Sequence, residues 1–163
     1  MIVLCRNHRR VNIFCQLVTK LQLTFLYSCT NPPAMKILYV DDDSEDREIF
    51  IEILEVIDPE IKVVEASNGI ETINILASED LPDIIFLDIN MPLLNGDQTL
   101  VEIRKDERLN NTKVVMYSTN VSKTSIPKYQ TLNAQYINKP YTVQDGIRIL
   151  KHVIKEQTPN RAY

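Results

Sequence analysis

A chain of 163 residues is long enough to bury one proper core and too short for several. Hydrophobic residues at 44% and charged residues at 25% are ordinary for a soluble globular protein. All 22 acids, but only 14 of the 18 bases, lie from Met35 onward, an acidic balance that rules against nucleic-acid binding, which needs clustered Lys and Arg.

The first 34 residues differ in kind from the rest. They hold Arg6, Arg9, Arg10 and Lys20, no acid, and all three cysteines (Cys5, Cys15, Cys29), up to a seam at Asn31-Pro32-Pro33-Ala34. Gln16, Lys20 and Gln22 interrupt the apolar core that a secretory signal needs. Tyr27 spoils a lipoprotein-like box at Leu26–Cys29, and no stretch reaches the roughly 18 apolar residues of a membrane span. A short basic amphipathic helix over Val11–Tyr27 is one reading. The preferred one is an N-terminal extension, 1–34, that is disordered or a mis-assigned start ahead of Met35. Unpatterned cysteines in such a chain imply free thiols in a reducing compartment. The remainder reads as one domain over 35–157 and a tail over 158–163.

From Met35 strands and helices alternate. Lys36–Val40 (KILYV) is a short apolar run ending in Asp41-Asp42-Asp43. Ser44 is the expected cap of a first helix, with Glu45 and Asp46 in its first turn and Ile49, Phe50, Ile53, Leu54 and Ile57 on one face. Asp58-Pro59 ends it. Ile61–Val64 is the second strand, Asn68-Gly69 a turn, and Ile70, Ile73, Leu76 and Ala77 mark the second helix.

The central stretch is Ile84–Gly96, IIFLDINMPLLNG. Four apolar residues before an acid read as a strand buried on both faces, delivering Asp88 to the carboxyl edge of a parallel sheet. Met91-Pro92 and Asn95-Gly96 turn the chain away, and a third helix follows over Asp97–Glu107. Lys113–Tyr117 (KVVMY) is the fourth strand, ending in Ser118-Thr119. Ser122–Leu132 is a weak fourth helix interrupted by Pro127. Gln135–Asn138 is the fifth strand, ending at Lys139-Pro140. Val143, Ile147, Leu150 and Ile154 form the fifth helix, with Lys151, His152 and Lys155 near its end.

Five strands alternating with five helices predict an α/β fold, a doubly wound parallel sheet of order 2-1-3-4-5, flavodoxin-like. In that order the first and third strands are neighbours, so Asp41 and Asp42 approach Asp88, and Ser118 and Lys139 reach the same edge. Carboxylates gathered this closely need a counter-charge, which Mg²⁺ with oxygen ligands supplies while sharing a phosphoryl group. If Asp88 at the centre is a nucleophile, the natural reaction is phosphoryl transfer onto it, with Mg²⁺ and Lys139 neutralising the phosphoryl oxygens and Ser118 available to bond a remaining one.

VDDD, FLDINMPLLNG, MYST and YINKP, in this order and at these intervals, resemble the receiver domain of two-component response regulators across about Met35–Glu156. The resemblance implies that Asp41 and Asp42 are the acidic pair holding Mg²⁺, with the Asn90 backbone carbonyl and Asp88 completing its protein ligands. It implies that Asp88 accepts phosphate from a histidine kinase or histidine phosphotransfer protein. Ser118 is then the hydroxyl switch residue, Lys139 the phosphoryl-binding lysine and Tyr136 the switch aromatic, with Lys139-Pro140 a candidate cis peptide. The chain would be a cytoplasmic, stand-alone signalling domain that catalyses only its own phosphorylation and dephosphorylation. Its downstream partner would read a face made by the fourth helix, fifth strand and fifth helix, bordered by Ile126, Tyr129 and Tyr141.

Two departures stand out. Thr119 follows Ser118 where the family has Ala or Gly, and Pro127 lies within the fourth helix. A rival reading, a haloacid-dehalogenase-type phosphatase built on Asp41-x-Asp43, needs a late acidic pair after the lysine. Only Asp145 and Glu156 are present there, far apart. A pure interaction module would be expected to have lost the acceptor, an acidic-pair member or the lysine, and all are retained.

Overall fold

The computed structural model describes residues 34–119 and 124–157. The expected extension, its helix and the free thiols lie outside the described residues, as does the C-terminal tail. Five parallel strands, β1 (Lys36–Val40), β2 (Lys62–Ala66), β3 (Ile84–Leu87), β4 (Lys113–Ser118) and β5 (Ala134–Asn138), form a sheet of order β2-β1-β3-β4-β5. The intervening helices are α1 (Ser44–Ile57), α2 (Gly69–Leu76), α3 (Gly96–Ile103), α4 (Ile126–Thr131) and α5 (Val143–Gln157), with a 3₁₀ turn over Glu107–Leu109. Fold class and strand order are those expected from the sequence.

Continuous apolar strands are what a sheet covered on both faces requires, and side-chain alternation divides them. Ile37, Tyr39, Ile84, Phe86, Val115 and Tyr117 pack with Phe50, Ile53, Leu54 and Ile57 of α1 and Leu150, Val153 and Ile154 of α5. Leu38, Val40, Ile85, Leu87, Val114 and Met116 face Leu76, Leu100, Ile103 and Tyr129 on the other side. All four side chains of β3 are fully buried, each worth roughly 1.5–3 kcal/mol of apolar transfer. The most occluded strand therefore carries the central carboxylate.

Several local expectations shift. Asp43, not Ser44, caps α1, accepting from Glu45 N–H at 2.8 Å. Asn68 caps α2 instead of turning the chain. Gly69 is needed for proximity: a Cβ there would lie 2.0 Å from Thr99 Oγ1 of α3 and 2.6 Å from the Leu94 carbonyl. That contact sets the rotation of α2, so it buries Thr72 and Leu76 while Ile70 stays half exposed. Ile49 is likewise exposed on α1. Pro127 is the second residue of α4 instead of interrupting it, a first-turn position where a missing N–H costs nothing. The Lys139–Pro140 bond is trans, since no cis peptide occurs among the described residues; trans is the cheaper isomer, and it is compatible with the Lys139 N–H bond to the Ser118 carbonyl at 3.0 Å.

Candidate functional site

Ladder hydrogen bonds run past the ends of the strands and fix the spacing of the rim. Asp41 N–H donates to the Ala66 carbonyl at 3.0 Å and Asp88 N–H to the Val40 carbonyl at 2.9 Å. The backbones of Asp41 and Asp88 are thus adjacent, and each of Asp41, Asp42 and Asp88 offers a carboxylate oxygen within 4.8 Å of the others. Asp41 and Asp88 are buried; Asp42 is exposed. Asp88 Oδ2 accepts the Asn90 N–H at 2.8 Å, which tightens the turn after β3. Gly96 completes that turn, because a Cβ there would sit 2.1 Å from the Asp88 carbonyl oxygen. Leu93, in the same loop, adopts φ 67°, a left-handed conformation costly for a branched side chain.

Lys139, beyond β5, supplies positive charge. Its Nζ lies 2.5 Å from Asp41 Oδ2, 2.7 Å from Asp46 Oδ2 and 3.7 Å from Asp88 Oδ1. Burial pulls its pKa down, but hydrogen bonds to Asp41 and Asp46 outweigh this and hold the ammonium above its ordinary value. Asp41 also accepts from the Tyr39 hydroxyl at 2.6 Å and the Asp43 N–H at 3.1 Å. Burial nevertheless leaves its carboxyl above the ordinary range, against the lowering effect of Lys139, Tyr39 and Asp43. Arg47 reaches the Asp41 carbonyl at 2.7 Å and Glu65 at 3.0 Å, bracing the loop.

Ser118 ends β4 with its Oγ buried and without a hydrogen-bond partner among the described residues. A hydroxyl taken from water and left unpaired costs roughly 1–3 kcal/mol, so such atoms mark places reserved for a ligand or a moving group. Three hard oxygen donors around one point suit Mg²⁺, and an orphaned hydroxyl with an ammonium nearby suits a phosphoryl oxygen.

The response regulator receiver domain model matches residues 37–152. The chain belongs to the response regulator receiver family. Receiver relatives include chemotaxis protein CheY1 of Helicobacter pylori, 33% identical over 113 residues, covering 68% of this chain and 89% of that protein. The sensor histidine kinase CheAY of the same species is 32% identical over 130 residues, or 78% of this chain, but the chain spans only 16% of its length. Among solved structures, the phosphorylated cyanobacterial phytochrome response regulator RcpA superposes with a TM-score of 0.70 at 27% identity, covering 79% of this chain and 97% of that one. Receivers are signalling domains that take up and release a phosphoryl group and generally bind Mg²⁺ at an acidic cluster, and this chain has such a cluster.

Of the residues singled out by sequence, Asp41, Asp42, Asp88 and Lys139 meet at the receiver's rim, and Ser118 ends β4 with its carbonyl bonded by the Lys139 N–H. Tyr136 lies lower on β5, half buried, its hydroxyl bonded to Asn138 Oδ1 and its ring 6.3 Å from Tyr129 at 27°. Tyr129 is core, 1% exposed, whereas Tyr141 is 96% exposed; the aromatic residue of α4 is therefore not surface border. The phosphatase reading loses its second aspartate, since Asp43 is spent as a helix cap. Asp145 bonds Thr142 and Arg148, and Glu156 bonds Lys113. Among the described residues no helix is long and apolar enough to cross a membrane. The contact that sequence reading missed is Asp46 to Lys139: an acid in a first helical turn carries an adequate explanation of its own, the helix dipole.

Proposed function

We propose that this chain is a receiver that accepts a phosphoryl group on Asp88 from a histidine kinase or histidine phosphotransfer protein, and that phosphorylation switches a partner-binding surface. The observation that carries this is the meeting of Asp41, Asp42 and Asp88 within 4.8 Å beside the Lys139 ammonium. Asp41, Asp42, Asp88 and the Asn90 carbonyl would hold Mg²⁺, which when bound supplies charge neutralisation to the phosphoryl oxygens.

The chain's own residues do the rest. An Asp88 carboxylate oxygen attacks phosphorus; the new P–O bond forms as the P–N bond to the donor imidazole breaks, and the imidazole leaves with a proton. Lys139 offers its ammonium to the charge on the transferred group. Ser118 turns its unpaired hydroxyl toward a phosphoryl oxygen, and Tyr136 moves into the space released behind it. The altered surface is that of α4, β5 and α5, available to a downstream protein. Phosphoryl supply from an ATP-consuming kinase makes the cytoplasm its compartment.

Incubation with Mg²⁺ and acetyl phosphate, followed by mass spectrometry, tests the reading. One phosphoryl group on Asp88 is expected, lost in Asp88→Asn and without chelatable metal. Label on Asp41, or unchanged labelling of Asp88→Asn, would overturn it.

A further inference from the structure

The Lys139 ammonium has three N–H donors, and in this structure two of them are held by carboxylates other than the acceptor. Asp41 Oδ2 and Asp46 Oδ2 stand at 2.5 and 2.7 Å, while Asp88 Oδ1 stays at 3.7 Å, beyond hydrogen-bond range. The two anchoring acids differ in one decisive respect. The Asp41 side chain is 2% exposed, whereas that of Asp46 is 39% exposed. Asp46 also walls, together with Lys139, a cleft of about 160 Å³ between α1 and the β5–α5 connection. Losing its ammonium would leave Asp41 a buried uncompensated charge, a costly state. Asp46 would only exchange its ammonium for water, within the first turn of α1 where the helix dipole already favours an anion.

We infer that Asp46 is a positioning residue that holds Lys139 back from Asp88 in the unphosphorylated protein and releases it when a phosphoryl group arrives. This rests on the reading of Asp88 as acceptor and deepens it. Asp46 is then a competitor for the phosphoryl-binding cation, and its strength sets how readily the site loads. Removing its charge frees a donor of Lys139 for the incoming group and leaves Asp41 paired.

Beryllofluoride, a phosphoryl mimic that needs no donor or turnover, provides the probe. Its affinity for the full chain is measured at saturating Mg²⁺ by amide chemical shifts, in wild type, Asp46→Asn, Asp46→Glu and Glu45→Gln. Glu45 is exposed in the same helical turn, so Glu45→Gln removes an equal charge without touching Lys139. Asp46→Asn is expected to bind at least fivefold tighter, with Glu45→Gln within twofold of wild type. Asp46→Glu, whose carboxylate can regain Lys139, returns toward wild type. Thermal melts establish that each variant is folded. Equal tightening in Asp46→Asn and Glu45→Gln would reduce the effect to bulk charge and overturn the inference. So would unchanged or weaker binding in Asp46→Asn. Failure of the acceptor reading looks different: wild type would not bind the mimic, or Asp88→Asn would bind it equally well.

Discussion

Ser118 illustrates how a single atom separates stability from function. Its Oγ is buried and unpaired, so removing it relieves a desolvation cost and leaves only a methyl-sized change. Ser118→Ala should raise the urea-denaturation free energy by about 1 kcal/mol, while the phosphorylation-dependent shifts of Tyr136 in an NMR spectrum disappear. A destabilised Ser118→Ala would mean that the hydroxyl has a partner after all. The neighbouring Thr119 makes a kinetic prediction. It is exposed at the end of β4, and on the proposed reading its bulk would stand beside the phosphoryl group and screen the acyl phosphate from water. Thr119→Ala should shorten the acyl-phosphate half-life severalfold and speed loading by acetyl phosphate; an unchanged half-life would remove Thr119 from the account. Ser118 and Thr119 are legible in the sequence because a strand end fixes where a side chain emerges. Asp46 was not, because its role depends on how far α1 stands from β5.

Among the elements, α3 and α4 depend on contacts that no local pattern announces. Arg104, at the end of α3, donates to the carbonyls of Leu132, Leu109 and Asn133 at 2.8 Å and of Thr112 at 3.2 Å. One guanidinium thereby ties α3, the 3₁₀ turn, the start of β4 and the α4–β5 connection together. Burial lowers its pKa, with no acid compensating. In sequence it is one more charge in a helical segment, since three of its partners lie 8, 28 and 29 residues away. Arg104→Ala should cost about 3 kcal/mol by chemical denaturation, and Arg104→Lys should recover little of it, because an ammonium cannot fork to four acceptors. The fourth helix is the weak member. It has six residues, starts at Ile126 with Pro127 in its first turn and lacks a side-chain cap, whereas α5 has fifteen and buries Leu150, Val153 and Ile154. Its amides should therefore exchange markedly faster than those of α5; equal protection would contradict a helix held mainly by Tyr129. The sequence located this weakness in Pro127, but the cause is brevity, as the proline occupies a position that suits it.

At the scale of the molecule, strand order was readable from continuous apolar runs alternating with amphipathic ones, and that order alone brings the tips of β1 and β3 together. What periodicity left open was helix rotation, which decides that Ile49 and Ile70 face outward and Tyr129 inward. The same topology concentrates charge. Asp41, Asp42, Asp88 and Asp46 crowd one rim, and Lys139 is the ammonium in contact with three of them. The sheet holds these like charges together at the expense of stability, a cost that a cation bound among them would offset. Asp88→Asn removes one buried charge whose distance to Lys139 is already 3.7 Å, so the metal-free variant should melt at a higher temperature than wild type. Mg²⁺ should reverse the ranking. A ligand at a hundred times its dissociation constant contributes about 2.7 kcal/mol to the folded state, and wild type should gain that amount while Asp88→Asn gains little. Parallel melts of the two proteins across a Mg²⁺ titration check both halves. Equal gains would separate Asp88 from the metal, and a lower metal-free melting point for Asp88→Asn would mean that its pairing with Lys139 outweighs repulsion from Asp41 and Asp42.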